Sequence, residues 1–151
     1  MAIRRLRRLS DKEITALQEA LKSLVHRHDE IVFALLYGSI ISPEIPGKFG
    51  DVDLAIYVQS SALKLPRPVL ESQLEAEAHQ LLSTQGSNFP PVEVVLLNEA
   101  PYSFAAKLLN TGYLVLKEDE EALTDFIEGV SKKSMNNSYL RQESLNEVLE
   151  G

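Results

Sequence analysis

The chain has 151 residues, 44% hydrophobic and 25% charged, with a net charge of −7 and no cysteine. That is the size and composition of one globular domain with one core, and it excludes disulfides and thiolate metal sites. The negative balance argues against strong electrostatic binding of nucleic acid, and no apolar run approaches the ~20 residues that span a bilayer, so no membrane segment is expected.

The chain opens with MAIRRLRRLS. It is basic but lacks a following apolar stretch, so it does not read as a secretory signal, and cytoplasm is the expected compartment. Arg4, Arg5, Arg7 and Arg8 read as a solvated arm, with a contact to a nucleotide, RNA or an acidic partner as the other reading. Ser10 and Glu13 have the spacing of a capping box. Ile14, Leu17, Leu21, Leu24 and Val25 recur at helical spacing behind it, which predicts a helix from Asp11 to His28. Ile31 to Tyr37 is a short apolar run bounded by turn signals, so it predicts a buried strand. Pro43, Pro46, Gly47 and Gly50 make residues 42–50 a loop, which holds Lys48 as a solvated charge. Asp51 to Val58 is the second predicted strand, and Ser60 to Pro68 a connector. Val69 to Thr84 predicts a helix with Leu70, Leu74, Ala78, Leu81 and Leu82 on one face and Glu71, Glu75 and Glu77 outside it. After a loop from Gln85 to Pro91, Val92 to Leu97 is the third strand. Pro101 suits a first helical position, and Tyr102 to Asn110 a short helix closed by Gly112. Tyr113 to Leu116 is a fourth strand, and Asp119 to Val130 a last helix with Leu123, Phe126 and Ile127 inward. Residues 1–130 thus read as one α/β (α+β) domain. Residues 131–151 read as a polar C-terminal helix or tail that needs a partner to order it.

The centre of the pattern is Leu36 to Val58. Side chains alternate along a strand, so Asp51 and Asp53 share a face. Two carboxylates on one face repel unless a cation or proton lies between them, and a hard divalent cation is the natural partner. Gly38 allows close approach of a ligand, and Ser39 adds a hydroxyl and an N–H. On spacing alone a second reading stands beside this one: Asp51 caps the turn and Asp53 is solvated at the sheet edge. His26, His28 and His79 do not share a helical face as a metal pair would need, and Tyr37, Tyr57, Tyr102 and Tyr113 read as packing residues.

Gly38-Ser39, a loop, then Asp51-x-Asp53 and an apolar run resembles the signature of the polymerase-beta-type nucleotidyltransferases, and in particular their minimal, antitoxin-like branch. Glu93, in the run Pro91 to Asn98, stands where that branch carries a third acid. The resemblance covers roughly residues 10 to 130. It implies a nucleotidyltransferase fold, a small mixed sheet flanked by helices. It implies two Mg²⁺ ions held by Asp51, Asp53 and Glu93, with Gly38 and Ser39 on the phosphates of ATP. It also implies transfer of AMP to a hydroxyl, with a helical HEPN-type toxin as partner. Three features depart from the pattern: the Ser39-to-Asp51 spacing is one residue longer than is common, no arginine follows Ser39, and the third acid is Glu. These departures motivate an alternative, a catalytically weak module of the same fold that neutralises or scaffolds its partner by binding.

Overall fold

A computed structural model describes residues 10–38, 52–84 and 89–133. The first helix, α1 (Asp11–His26), begins at the expected capping box: the Ser10 hydroxyl accepts from the Glu13 N–H, and the Glu13 carboxylate accepts from the Ser10 N–H. Then come strands β1 (Ile31–Tyr37) and β2 (Val52–Val58), helix α2 (Arg67–Ser83), strand β3 (Val92–Leu96), helix α3 (Tyr102–Thr111) and strand β4 (Tyr113–Lys117). A last helix, α4, covers residues 120–133. The sheet order is β3-β2-β1-β4, with β2 and β3 parallel and the other pairs antiparallel. This is the mixed sheet with flanking helices that the sequence led us to expect.

The sheet is covered on both faces. Val52, Leu54, Ile56, Val58, Val92, Val94 and Leu96 point toward Leu17, Leu21 and Leu24 of α1 and Leu74, Ala78 and Leu82 of α2. The opposite face carries Phe33, Leu35 and Ala55 against Leu108 of α3 and Leu123 of α4. β1 is apolar from Ile31 to Leu36 because it is an interior strand covered on both faces. Its register shifts between Ile31 and Phe33, which turns Ile31 into the first layer and Phe33 into the second. Phe33 stacks on Tyr57 with ring centroids 5.0 Å apart, so Tyr57 is a packing residue as expected.

The element ends differ from the sequence reading where side chains intervene. α1 stops two residues short of His28, whose ring turns toward α2 instead. α2 starts at Arg67 rather than Val69, because Pro68 sits in the first turn, where its missing N–H is not needed. The connector before it contains a short 3₁₀ helix, Ser60–Lys64. β3 ends at Leu96, and Leu97–Glu99 forms a 3₁₀ turn. That turn aims Asn98 at β2: its amide accepts from the Val58 N–H at 2.9 Å and donates to the Val58 C=O at 2.8 Å. The side chain thereby continues the ladder that β3 has left. α3 reaches Thr111 and β4 reaches Lys117, each one residue beyond expectation. Asp119 caps α4 rather than opening it, accepting from the Ala122 N–H at 3.1 Å. The helix runs past Val130 to residue 133. Most of the expected tail, residues 134–151, lies outside the described residues, as do Arg4, Arg5, Arg7 and Arg8. Among the described residues no helix is long and apolar enough to cross a membrane.

Glu71, Glu75 and Glu77 lie off the apolar face of α2, yet each has a partner. Val94 donates its N–H to Glu75 at 3.0 Å and Leu96 to Glu71 at 2.9 Å. Glu77 accepts from His28 Nε2 at 2.6 Å, and Glu30 accepts from His28 Nδ1 at 3.0 Å. Each ring nitrogen of His28 thus faces a carboxylate oxygen, an arrangement that favours the protonated ring. Burial pulls its pKa down, but the bonds and charges of Glu77 and Glu30 outweigh this and raise it above the ordinary 6.5. The stabilisation is therefore complete below the unfolded pKa and is lost as pH rises through the higher folded pKa. We expect the urea-midpoint gap between wild type and His28→Gln to be largest near pH ~6 and to shrink toward pH ~9. A gap constant over that range would show that the ring acts without its charge.

Candidate functional site

The strand registers assemble one row of side chains across the sheet. Asp53 pairs with Glu93 on its parallel side and with Tyr37 on its antiparallel side, and Tyr37 pairs in turn with Tyr113. All of them lie on the sheet face that carries Ala55 and Tyr57, because Val52 and Leu54, or Val92 and Val94, are committed to the other face. Neighbouring strands run ~4.8 Å apart, so Asp53 and Glu93 are lateral neighbours separated by that spacing. Asp53 is half-buried and Glu93 is exposed. The row stands at the end of β1 and the start of β2 and β3, next to Gly38.

Gly38 has φ +87, a conformation that favours glycine. A Cβ built on it would run into the Asp53 carboxylate. The glycine expected to admit a ligand therefore also admits Asp53, and backbone and carboxylate share one tight corner. Tyr37 closes the other side. Its ring is half-buried and meets Phe104 edge-on, with centroids 5.9 Å apart at 85°. Burial raises the pKa of its hydroxyl far above the ordinary 10, and the charges of Asp53, Glu93 and Glu71 raise it further. The packing role expected of Tyr37 holds, but its hydroxyl also lies within the field of the acids.

The donor chemistry suits a hard cation. Asp53 and Glu93 offer only oxygen, on adjacent strands, beside a glycine whose bare backbone the Asp53 carboxylate approaches closely. Among the described residues no cluster of three or more His, Cys, Asp or Glu side chains could hold a metal ion. Asp51, Ser39 and Lys48 lie outside the described residues. Asp53, Glu93 and Gly38 are thus the described part of the expected site, and they come together. His26 and His28 do not join them: His26 Nδ1 bonds the Lys22 carbonyl at 2.7 Å, and His28 is held between Glu30 and Glu77.

The family model described as "Polymerase beta, Nucleotidyltransferase" matches residues 19–121. Comparison with curated proteins finds no match. Among solved structures, the chain is similar to one of a tri-AMPylated Shewanella oneidensis HEPN toxin in complex with MNT antitoxin. The match has 14% identity and a TM-score of 0.64, covering 90% of this chain and 98% of that one. It is similar to the MntA-HepT toxin-antitoxin structure at 14% identity and TM-score 0.61, over 89% and 98% of the two chains. A toxin-antitoxin structure with AMP-PNP matches at 16% identity and TM-score 0.63, over 87% and 98%. At these identities the likeness is one of fold.

The Gly38 corner gives a direct test. Gly38→Ala forces an L-residue into positive φ and its methyl into Asp53, so we expect a loss of about 1–3 kcal/mol in urea unfolding. Part of that loss should return in Gly38→Ala with Asp53→Ala, which removes the clash but not the φ strain. A wild-type midpoint for Gly38→Ala would contradict the close approach.

Proposed function

The chain belongs to the polymerase-beta nucleotidyltransferase family, and we propose that it moves AMP from ATP onto a hydroxyl of a helical, HEPN-type partner, acting as that partner's antitoxin. The observation that carries this is the register that seats Asp53 beside Glu93 at the Gly38 corner. Fold likeness to an AMP-PNP complex and to a complex with an AMPylated toxin supports the nucleotide and the acceptor.

Asp53 and Glu93, with Asp51, are the residues that would hold two Mg²⁺ ions, since an all-oxygen set favours Mg²⁺ over Zn²⁺. When bound, such ions supply charge neutralisation on the triphosphate and acidify the attacking hydroxyl. Gly38 and Ser39 would receive the phosphates, Gly38 by bare backbone and Ser39 by hydroxyl and N–H. In the transfer, the acceptor oxygen forms a bond to the α-phosphorus, the bond from that phosphorus to the bridging oxygen breaks, and pyrophosphate leaves. The acceptor's proton passes to Glu93, the exposed carboxylate of the pair. Tyr37 keeps its own proton, so it serves as a donor and not as a base. The proposed compartment is the cytoplasm.

The test is mass spectrometry of the partner after incubation with Mg-ATP, looking for added AMP. Wild type should add it, and EDTA should stop the reaction. Asp53→Asn should slow it on the order of 100-fold or more, as loss of a charge-stabilising group does. Glu93→Gln should slow it comparably while leaving Mg-ATP affinity nearly unchanged. Full inhibition of the partner by a wild type that adds no AMP would instead establish the second reading, a binding module that acts by contact.

A further inference from the structure

We infer that Glu75 and Glu71 of α2 are positioning residues, which hold β3 laterally and so fix the Glu93 carboxylate beside Asp53. The effect on rate rests on the transfer chemistry proposed above; the geometry does not.

β3 is an edge strand, and its two sides are held differently. Toward β2 it makes a parallel ladder that begins with the Val52 N–H donating to the Pro91 C=O at 2.9 Å. Away from β2, the N–H groups of Val94 and Leu96 face outward, where an edge strand normally meets solvent. Here Glu75 Oε1 accepts from Val94 at 3.0 Å and Glu71 Oε2 from Leu96 at 2.9 Å. The spacings match: four residues of helix advance ~6 Å and two residues of strand ~6.6 Å, so i and i+4 on α2 meet alternate amides on β3. Glu71 is itself fixed from one turn earlier by Arg67 Nε at 3.0 Å, and its side chain is only 16% exposed. Bonds to ionised acceptors are about twice as strong as neutral ones.

Val94 directly follows Glu93. A bond to its N–H fixes the peptide plane that leaves the Glu93 Cα, while the bonds to β2 fix the other side of the strand. Burial of Val92, Val94 and Leu96 and the ladder to β2 set the register of the strand, but neither holds its outer side. The carboxylates of α2 hold that side. This matters because a shift of ~1 Å at a reacting group can cost on the order of 100-fold in rate.

The full-length protein with its partner and Mg-ATP decides the matter. Glu75→Ala should lower the transfer rate constant about 10- to 100-fold with little change in KM for ATP. Glu75→Gln should recover most of it, since the amide oxygen still accepts from Val94. In a Glu93→Gln background, Glu75→Ala should add nothing, because its effect runs through Glu93. An equal loss in that background, or no recovery with Gln, overturns the inference. If Glu75→Ala does not fold, Glu75→Asp, one methylene shorter, takes its place in the same comparison. Should wild type transfer no AMP, the transfer chemistry fails and the positioning claim is decided separately by NMR. Glu75→Ala should then expose the Val94 amide to exchange and move the backbone and side-chain chemical shifts of Glu93, while Glu75→Gln leaves both in place. Glu93 shifts unmoved by Glu75→Ala overturn it.

Discussion

The parallel pairing of β2 with β3 is the constraint on which the rest of the structure depends. It sets Asp53 opposite Glu93, yet two carboxylates side by side gain nothing from each other. The pairing is held by the residues between them: Val52, Leu54, Ile56, Val92, Val94 and Leu96 all require the α1 and α2 face. Because side chains alternate with a period of two, a slip of one residue would carry Glu93 into that apolar layer and expose the valines. The core thus enforces an arrangement that the acidic pair alone would refuse. This is how two acids are kept side by side at the end of the sheet.

A parallel pair cannot be closed by a hairpin, so β2 and β3 need a crossover, and α2 is its helix. That helix does more than cover one face. Glu71 and Glu75 satisfy the outer amides of β3, Glu77 accepts from His28 at the start of β1, and Asn98 takes over the β2 ladder where β3 stops. The β3 edge is therefore closed by side chains. The β4 edge is different in character, with Leu114 and Val115 each more than a third exposed. The acids Glu71, Asp53 and Glu93 all raise the pKa of Tyr37. Their shared field lies at the end of the sheet where Gly38 leaves it.

The fold was largely legible in the sequence because its signals are local. The capping box at Ser10 and Glu13, the apolar run Ile31 to Tyr37 and the terminating Gly112 each specify their element without help from the rest of the chain. Helix ends were less legible, since Pro68 reads as a breaker in sequence but occupies a first turn in the structure. Gly38, Asp53 and Glu93 were visible from the motif, and the registers bring them together. Ser39 and Asp51 belong to the same motif but lie outside the described residues. The supporting contacts were not legible. Glu71 and Glu75 look like the solvated face of an amphipathic helix, and nothing in a single sequence says that β3 is an edge strand within their reach. Asn98 looks like a loop residue until the neighbouring strand is known. Tyr37 reads as the last residue of an apolar strand, and only the cross-strand register places it next to Asp53.

The central claim is that a divalent cation binds at the Asp53–Glu93 pair beside Gly38. Paramagnetic broadening by Mn²⁺, in the presence of a non-hydrolysable ATP analogue, tests it most directly because it needs neither turnover nor a partner. Substoichiometric Mn²⁺ should broaden the NMR signals of Gly38, Asp53, Glu93 and Tyr37 first, and Asp53→Asn with Glu93→Gln should abolish that pattern. Broadening centred on the His28, Glu30 and Glu77 group, or spread evenly over the acidic surface, would contradict it.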